Sequence, residues 1–220
     1  MNEIAPISVQ TLPEDKQVID FAKEIKKGAK PVIPKTPESL MPLGNCYWNA
    51  NFAAKRNGGT MKTGWIIQLW PNSHLIAIHH AVHFGLDGNL YDVTQSPSPG
   101  AKRADVFIED NSIQINLDKL PLIPCRFYTF DDNPFTKEYI SAYKNVSALE
   151  KIFSKTLYDA GIRCEQQKAI AMGVQCQGSI LSAKDVASIT EVQRLMQSAI
   201  QNLGIAINNL KNQTTPKTSN

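Results

Sequence analysis

Apolar positions recur with two different periods along this chain, and the change of period divides it. Val18, Phe21, Ala22 and Ile25 fall at spacings of three, one and three, which is one stripe of a helix predicted over residues 14–27 and stopped by Gly28. Pro31, Pro34, Pro37 and Pro42 follow, and prolines so close together predict an extended, loop-like lead-in. Residues 46–56 read as a second helix, with Asn45 as its N-cap and Asn57-Gly58-Gly59 as its stop. The pattern then becomes strand-like. Residues 64–70 are rich in β-branched and aromatic side chains and predict a strand. Pro71-Asn72-Ser73 makes a turn, residues 75–84 a second strand, residues 85–88 another turn and residues 89–94 a third strand. A Ser/Pro/Gly loop spans 95–103, and short strands are expected at 104–108, 112–117 and 125–130.

From Pro134 the pattern is helical, over about 135–143, 146–160, 164–172 and 183–210. In the last helix Ile189, Val192, Met196, Ala199, Leu203, Ala206 and Leu210 alternate in threes and fours. Such a seam either packs on the domain core or meets a partner protein through helix 183–210. The polar residues 213–220 are expected to be disordered. The chain therefore reads as α+β, in four parts. These are an N-terminal helix and proline-rich lead-in (1–43), an α+β core (44–133), a helical region (134–212) and a tail (213–220). A length of 220 residues makes one domain the expectation.

The strand over 75–84 separates its side chains cleanly. Ile76, Ile78, His80, Val82 and Phe84 share one face, and Ala77, His79, Ala81 and His83 share the other. The first face carries the bulk and is expected to pack against a helix, with His80 as its one polar member. His79 and His80 point to opposite sides. His79 and His83 lie about 13 Å apart along the strand. A metal site built from this strand alone is therefore disfavoured.

Composition narrows the classes. Hydrophobic residues make up 42% and charged residues 20%, the balance of a globular protein. A net charge of +3 is too small to point to nucleic acid. No apolar run is long enough to span a bilayer, and Met1 to Gln10 carry no secretory signal pattern. The cytoplasm is the default expectation, and export as an effector by a route that reads no cleaved signal is compatible with it. Cys46, Cys125, Cys164 and Cys176 form no CxxC pair and no zinc-site spacing. Neither a metal nor a cofactor is predicted.

The candidate chemistry lies between residues 44 and 96. A cysteine at a helix start is favoured as the thiolate by the unpaired amides and the helix dipole. Cys46 occupies that position. Leu86-Asp87-Gly88 suits a three-residue hairpin loop with Gly88 in the left-handed conformation. That loop pairs Gly85 with Asn89, Val82 with Asp92 and His80 with Thr94, which puts Asp92 on the His80 face and on its diagonal. A carboxylate there fixes the imidazole tautomer and stabilises the imidazolium. For the oxyanion of an acyl intermediate, the candidate donors are the Cys46 amide and the side chains of Asn45, Trp65, Asn49 and Gln68.

A helix-start cysteine, a strand histidine 34 positions on and an aspartate 12 beyond it, on the next strand, resemble the transglutaminase-like branch of the papain-like thiol enzymes. The matching runs are Cys46, His80-Ala81-Val82-His83 and Asp92-Val93-Thr94. Val82 stands where that branch often has an aromatic, and Val93 where it has proline. The run also resembles that of small bacterial proteins, through Cys46 with Asn49, Gly64-Trp65, His79 to Val82 and Gly88 to Thr94. The resemblance covers residues 44–96. It implies a papain-like/transglutaminase-like core with a Cys46-His80-Asp92 site, and not a substrate; a thiol enzyme built on that site is expected to act on an amide or acyl bond, with a protein or peptide as the expected substrate. Peptidase, amidase, glutamine deamidase and transamidase all fit. The alternative is a non-catalytic interaction protein that reuses the fold.

Overall fold

The computed structural model describes residues 9–96 and 105–214. Most of the expected 95–103 loop and all but the start of the expected tail lie outside the described residues. The first helix, α1 (Lys16–Ile25), turns Val18, Phe21, Ala22 and Ile25 inward as its stripe requires. The second, α2 (Cys46–Asn57), starts at the cysteine and stops where Gly58 takes a left-handed φ of 76°. Two long strands follow, β1 (Thr60–Trp70) and β2 (His74–Phe84), joined by a turn in which Asn72 takes a φ of 59°. The remaining strands are β3 (Leu90–Tyr91), β4 (Val106–Glu109) and β5 (Arg126–Thr129). Three helices close the chain: α3 (Pro134–Asp159), α4 (Glu165–Met172) and α5 (Ala183–Thr214). The class is α+β.

The sheet is antiparallel, in the order β3-β2-β1-β4, with β5 also paired to β2. Its two outer strands are bridged by the proline-rich lead-in. Val32 exchanges backbone hydrogen bonds with Phe107 of β4 at 3.0 and 2.7 Å. Three residues later the Lys35 amide donates to Leu90 of β3, and Lys35 accepts from the Asp92 amide. Three residues span only about 10 Å, so the sheet has to curl until its edges nearly meet. The lead-in is extended, as its prolines predict, but pairs with strand edges where a loop would run free. It can do so because proline tolerates a strand edge and leaves its neighbours' amides free to pair.

The curl decides which face meets the helices, and it is not the bulky one. Ile66, Val82 and Phe107, with Ile78 and Leu90, fill the inside of the curl. The small side chains Ala77 and Ala81 on the outside admit helices closely. α1 packs there against Trp65, Ile67, Leu75, Ala77, Val106 and Ile108. α2 packs beside it through Tyr47, Trp48, Ala50 and Ala53 on Ala81 and Val93. Each large side chain buried this way contributes roughly 1.5–3 kcal/mol.

Two further expectations change. Residues 112–117 form no strand; Asp110 Oδ1 accepts from the Ser112 amide and Asn116 Oδ1 from the Asp118 amide, local turns that compete with a ladder. The helices expected at 135–143 and 146–160 are one continuous helix, α3, because no glycine or proline interrupts it and Val146 and Ser147 are buried. It is capped by Asn133, which accepts from the Phe135 and Thr136 amides, with Pro134 behind it. The C-terminal part of the α5 seam packs within the chain. Leu203, Ala206 and Leu210 pack with Tyr139 and Tyr143 of α3 and with Trp70. Among the described residues no helix is long and apolar enough to cross a membrane.

Candidate active site

One edge of β2 is shared between two short strands. β5 pairs with residues 74–77 and β3 with residues 83–84. Between them, residues 78–82 carry no strand on that edge among the described residues. The first turn of α2 enters this gap. Its Tyr47 hydroxyl lies 3.3 Å from the His79 carbonyl and 2.8 Å from His79 Nδ1. The start of a helix thus meets the middle of a strand, which brings Cys46 to His80 although α2 packs on the opposite face of the sheet.

The hairpin has the register read from its turn. Gly88 takes a φ of 78°, the Gly85 amide donates to the Asn89 carbonyl, and His83 and Phe84 pair with Tyr91 and Leu90. After Tyr91 the chain leaves β2 for the lead-in, and Met41 bridges to Thr94. Asp92 is held at this departure point. Its Oδ1 and Oδ2 lie 3.0 and 3.1 Å from His80 Nε2, and Oδ1 also accepts from the Thr94 amide. Both side chains are buried, at 5% and 7% exposure. With Nε2 engaged, Nδ1 is the ring nitrogen left for Cys46.

The electrostatics follow from burial and two neighbours. Burial opposes charge on His80, but the charges of Cys46 and Asp92 and hydrogen bonding to both outweigh it and raise the imidazole well above its ordinary range. His79, one residue away, goes the other way. Burial pushes it down to about 4, with Asp110 opposing and His80 and Arg126 assisting. The two adjacent histidines are therefore a charged one and a neutral one at neutral pH. Burial, with the charges of Cys46 and Cys125, keeps the Tyr47 phenol protonated.

The four donor candidates do not gather equally. Asn45 sits at the N-cap position, but its side chain makes no cap bond. Its Nδ2 donates instead to Asn49 Oδ1 at 3.2 Å and to the Gln167 carbonyl of α4 at 2.9 Å. The first-turn amides beside Cys46 are thus not capped by Asn45. Asn49 is fully buried and donates to the Pro42 carbonyl and Thr94 Oγ1, tying α2 to the lead-in and to the strand end that carries Asp92. Trp65 lies on the helix-covered face, and its Nε1 donates to Asp110 Oδ2 at 3.0 Å. Gln68 is four residues along β1 from Gly64, the residue opposite His80, so it lies about 13 Å away along the strand. Asn45 and Asn49 support the site, and Trp65 and Gln68 stand apart from it.

Sequence reasoning missed Tyr47 and His79. An aromatic in the first turn of a helix reads as core, and the pairing of α2 with the strand gap has no sequence signal. Of the other histidines, His83 Nε2 meets the Gly58 carbonyl, and His74 is enclosed by Trp70, Phe127 and Tyr139. Among the described residues no three His, Cys, Asp or Glu side chains are grouped to hold a metal ion. No family model, curated protein or solved structure matches this chain.

Proposed function

We propose that this chain is a thiol enzyme of the papain-like/transglutaminase-like type that cleaves or transfers an amide acyl group through Cys46. The observation that carries the proposal is the buried His80 ring, bonded through Nε2 to Asp92 and near enough to Cys46 for the cysteine's charge and hydrogen bonding to raise the imidazole. In that arrangement the proton moves from the thiol to the imidazole, and Asp92 stabilises the resulting imidazolium. The Cys46 thiolate attacks the amide carbonyl carbon. The oxyanion that forms is met by the first-turn amides of α2. The carbon–nitrogen bond breaks as the His80 proton goes to the leaving amine, which leaves a thioester on Cys46. Water, deprotonated by His80, then attacks the thioester, releases the carboxylic acid and restores the thiol. An amine in place of water gives transamidation.

The test is the intermediate itself. Wild-type chain is incubated with peptide amides and glutamine-containing peptides, quenched in acid and weighed intact. An adduct of the acyl mass on the peptide containing Cys46, absent in Cys46→Ser, is the expected result. No adduct with any amide or activated ester, in protein whose thiol is free, would refute the proposal.

A further inference from the structure

Cys46 and His80 stand on different elements, so something has to hold the start of α2 against the middle of β2. The Asp92 pair fixes the ring but not the thiol. The bonds that cross directly between the two elements beside the reacting groups come from Tyr47, next to Cys46, and end on His79, next to His80.

Hydrogen-bond accounting fixes their direction. The Tyr47 hydroxyl has one proton and two neighbours, His79 Nδ1 at 2.8 Å and the His79 carbonyl oxygen at 3.3 Å. His79 is neutral near pH 7 because of its burial. Its buried Nε2 has no hydrogen-bond partner among the described residues. A buried orphan N–H is rarer than an orphan acceptor, so the ring proton belongs on Nδ1. The ring then donates to the phenol oxygen, and the phenol donates to the His79 carbonyl. Both polar groups of residue 79 are satisfied by one side chain of α2. The carbonyl belongs to the stretch of β2 edge that no strand covers among the described residues, so the phenol also stands in for a ladder bond there. The His79 ring is fixed from its other sides by an edge contact to Trp65, with centroids 4.8 Å apart, and by stacking near Tyr47 itself.

We propose that Tyr47 is a positioning residue for the Cys46–His80 pair, clamping the first turn of α2 to residue 79 so that the thiol stays within proton-transfer range of the His80 ring. The inference rests on the thiol-enzyme proposal above. It predicts that loss of the phenol hydroxyl loosens the thiol from the imidazole without removing either group.

The experiment is the pH profile of Cys46 alkylation by iodoacetamide, read by peptide mass, in wild type, Tyr47→Phe and His79→Asn. The expected result is a wild-type rate at acidic pH far above that of exposed Cys176, and a fall of about ten- to a hundredfold at that pH in Tyr47→Phe. His79→Asn keeps the wild-type profile, since an asparagine amide reaches the place of Nδ1–H. Slow labelling of buried Cys164 in every variant verifies the fold. If Tyr47→Phe does not fold, His79→Ala carries the test; it keeps the phenol and its bond to the carbonyl, and a severalfold fall is expected. A wild-type profile retained in Tyr47→Phe, or in His79→Ala where that variant stands in, overturns the inference and leaves the proposed function intact. A wild-type Cys46 that reacts only as Cys176 does overturns the proposed function, and the inference with it.

Discussion

His80 Nε2 lies within 3.1 Å of both oxygens of Asp92, and the pair is buried where β3 leaves β2. The geometry is set by a three-residue turn. One residue more or fewer in that loop would send Asp92 to the other face of the sheet and out of reach of the ring. The carboxylate engages Nε2 and leaves Nδ1 free of that bond. A buried histidine with a raised affinity for protons, beside a cysteine at a helix start, is the arrangement from which the proposed chemistry follows.

The first prediction concerns the three residues. Cys46→Ser and His80→Ala should form no acyl-enzyme with any amide. Asp92→Asn should slow its formation by roughly 10–100-fold, because Asp92 orients the ring and does not take its proton. Quenched mass spectrometry measures all three. An Asp92→Asn rate equal to wild type would remove Asp92 from the site.

Stability separates pairing from chemistry. Cys46 is partly exposed, and Cys46→Ser should leave the melting temperature nearly unchanged. His80→Ala strands a buried carboxylate and should cost about 3 kcal/mol or more. The His80→Ala/Asp92→Ala double variant should regain part of that loss and none of the activity. Urea denaturation of wild type, His80→Ala, Asp92→Ala and the double variant closes the cycle. A double variant no more stable than His80→Ala would contradict the burial argument.

Stability should peak near pH 6.5. The acid limb comes from His74 and His79, each pushed down to about 4 by burial. Between about 6.5 and 4 the unfolded chain binds protons that the folded chain refuses, so stability falls as pH falls, by roughly 3 kcal/mol for each histidine at full effect. The alkaline limb comes from His80. Its folded value is raised to about 10, so its contribution is complete below about 6.5 and is lost as pH rises through 10. Denaturation midpoints across pH should lose the alkaline limb in the His80→Ala/Asp92→Ala variant and keep the acid one. An unchanged alkaline limb would contradict the assignment.

Gly64 stands directly opposite His80 across the β1–β2 ladder. A Cβ there would lie 2.1 Å from the Ile108 carbonyl oxygen and 2.7 Å from the Phe107 ring. Gly64→Ala should therefore push β4 away and cost roughly 1–3 kcal/mol. It should slow acylation too, since His80 shares that ladder. Unchanged urea midpoints would show that β4 yields freely.

The parts of the site carried by local chemistry were legible in the sequence. Gly88 requires a positive φ, which sets the hairpin loop, the register and so the face of Asp92. Gly58 after α2 sets its C-terminal end, whereas Asn45 before Cys46 marks the start by position but turns its side chain to Asn49 and Gln167 instead of capping. The parts that depend on closure were not legible. Alternation along β2 marks two faces but cannot say which is inside a curl, and the bulky side chains went inside while Ala77 and Ala81 met the helices. The curl depends on residues 32–35 bridging two strands far away in sequence. Tyr47 was invisible for the same reason, because its partner exists only once α2 has entered the gap in β2.

The most direct measurement is the rate of Cys46 alkylation between pH 4 and 9, in wild type and in His80→Ala held below its melting transition. An ordinary thiol gains reactivity only as pH approaches about 8.5. The account predicts a wild-type Cys46 that reacts well below that range, on a plateau that disappears in His80→Ala. A Cys46 whose profile follows that of exposed Cys176, and does not change when His80 is removed, would contradict the thiolate–imidazolium pair and the proposed function with it.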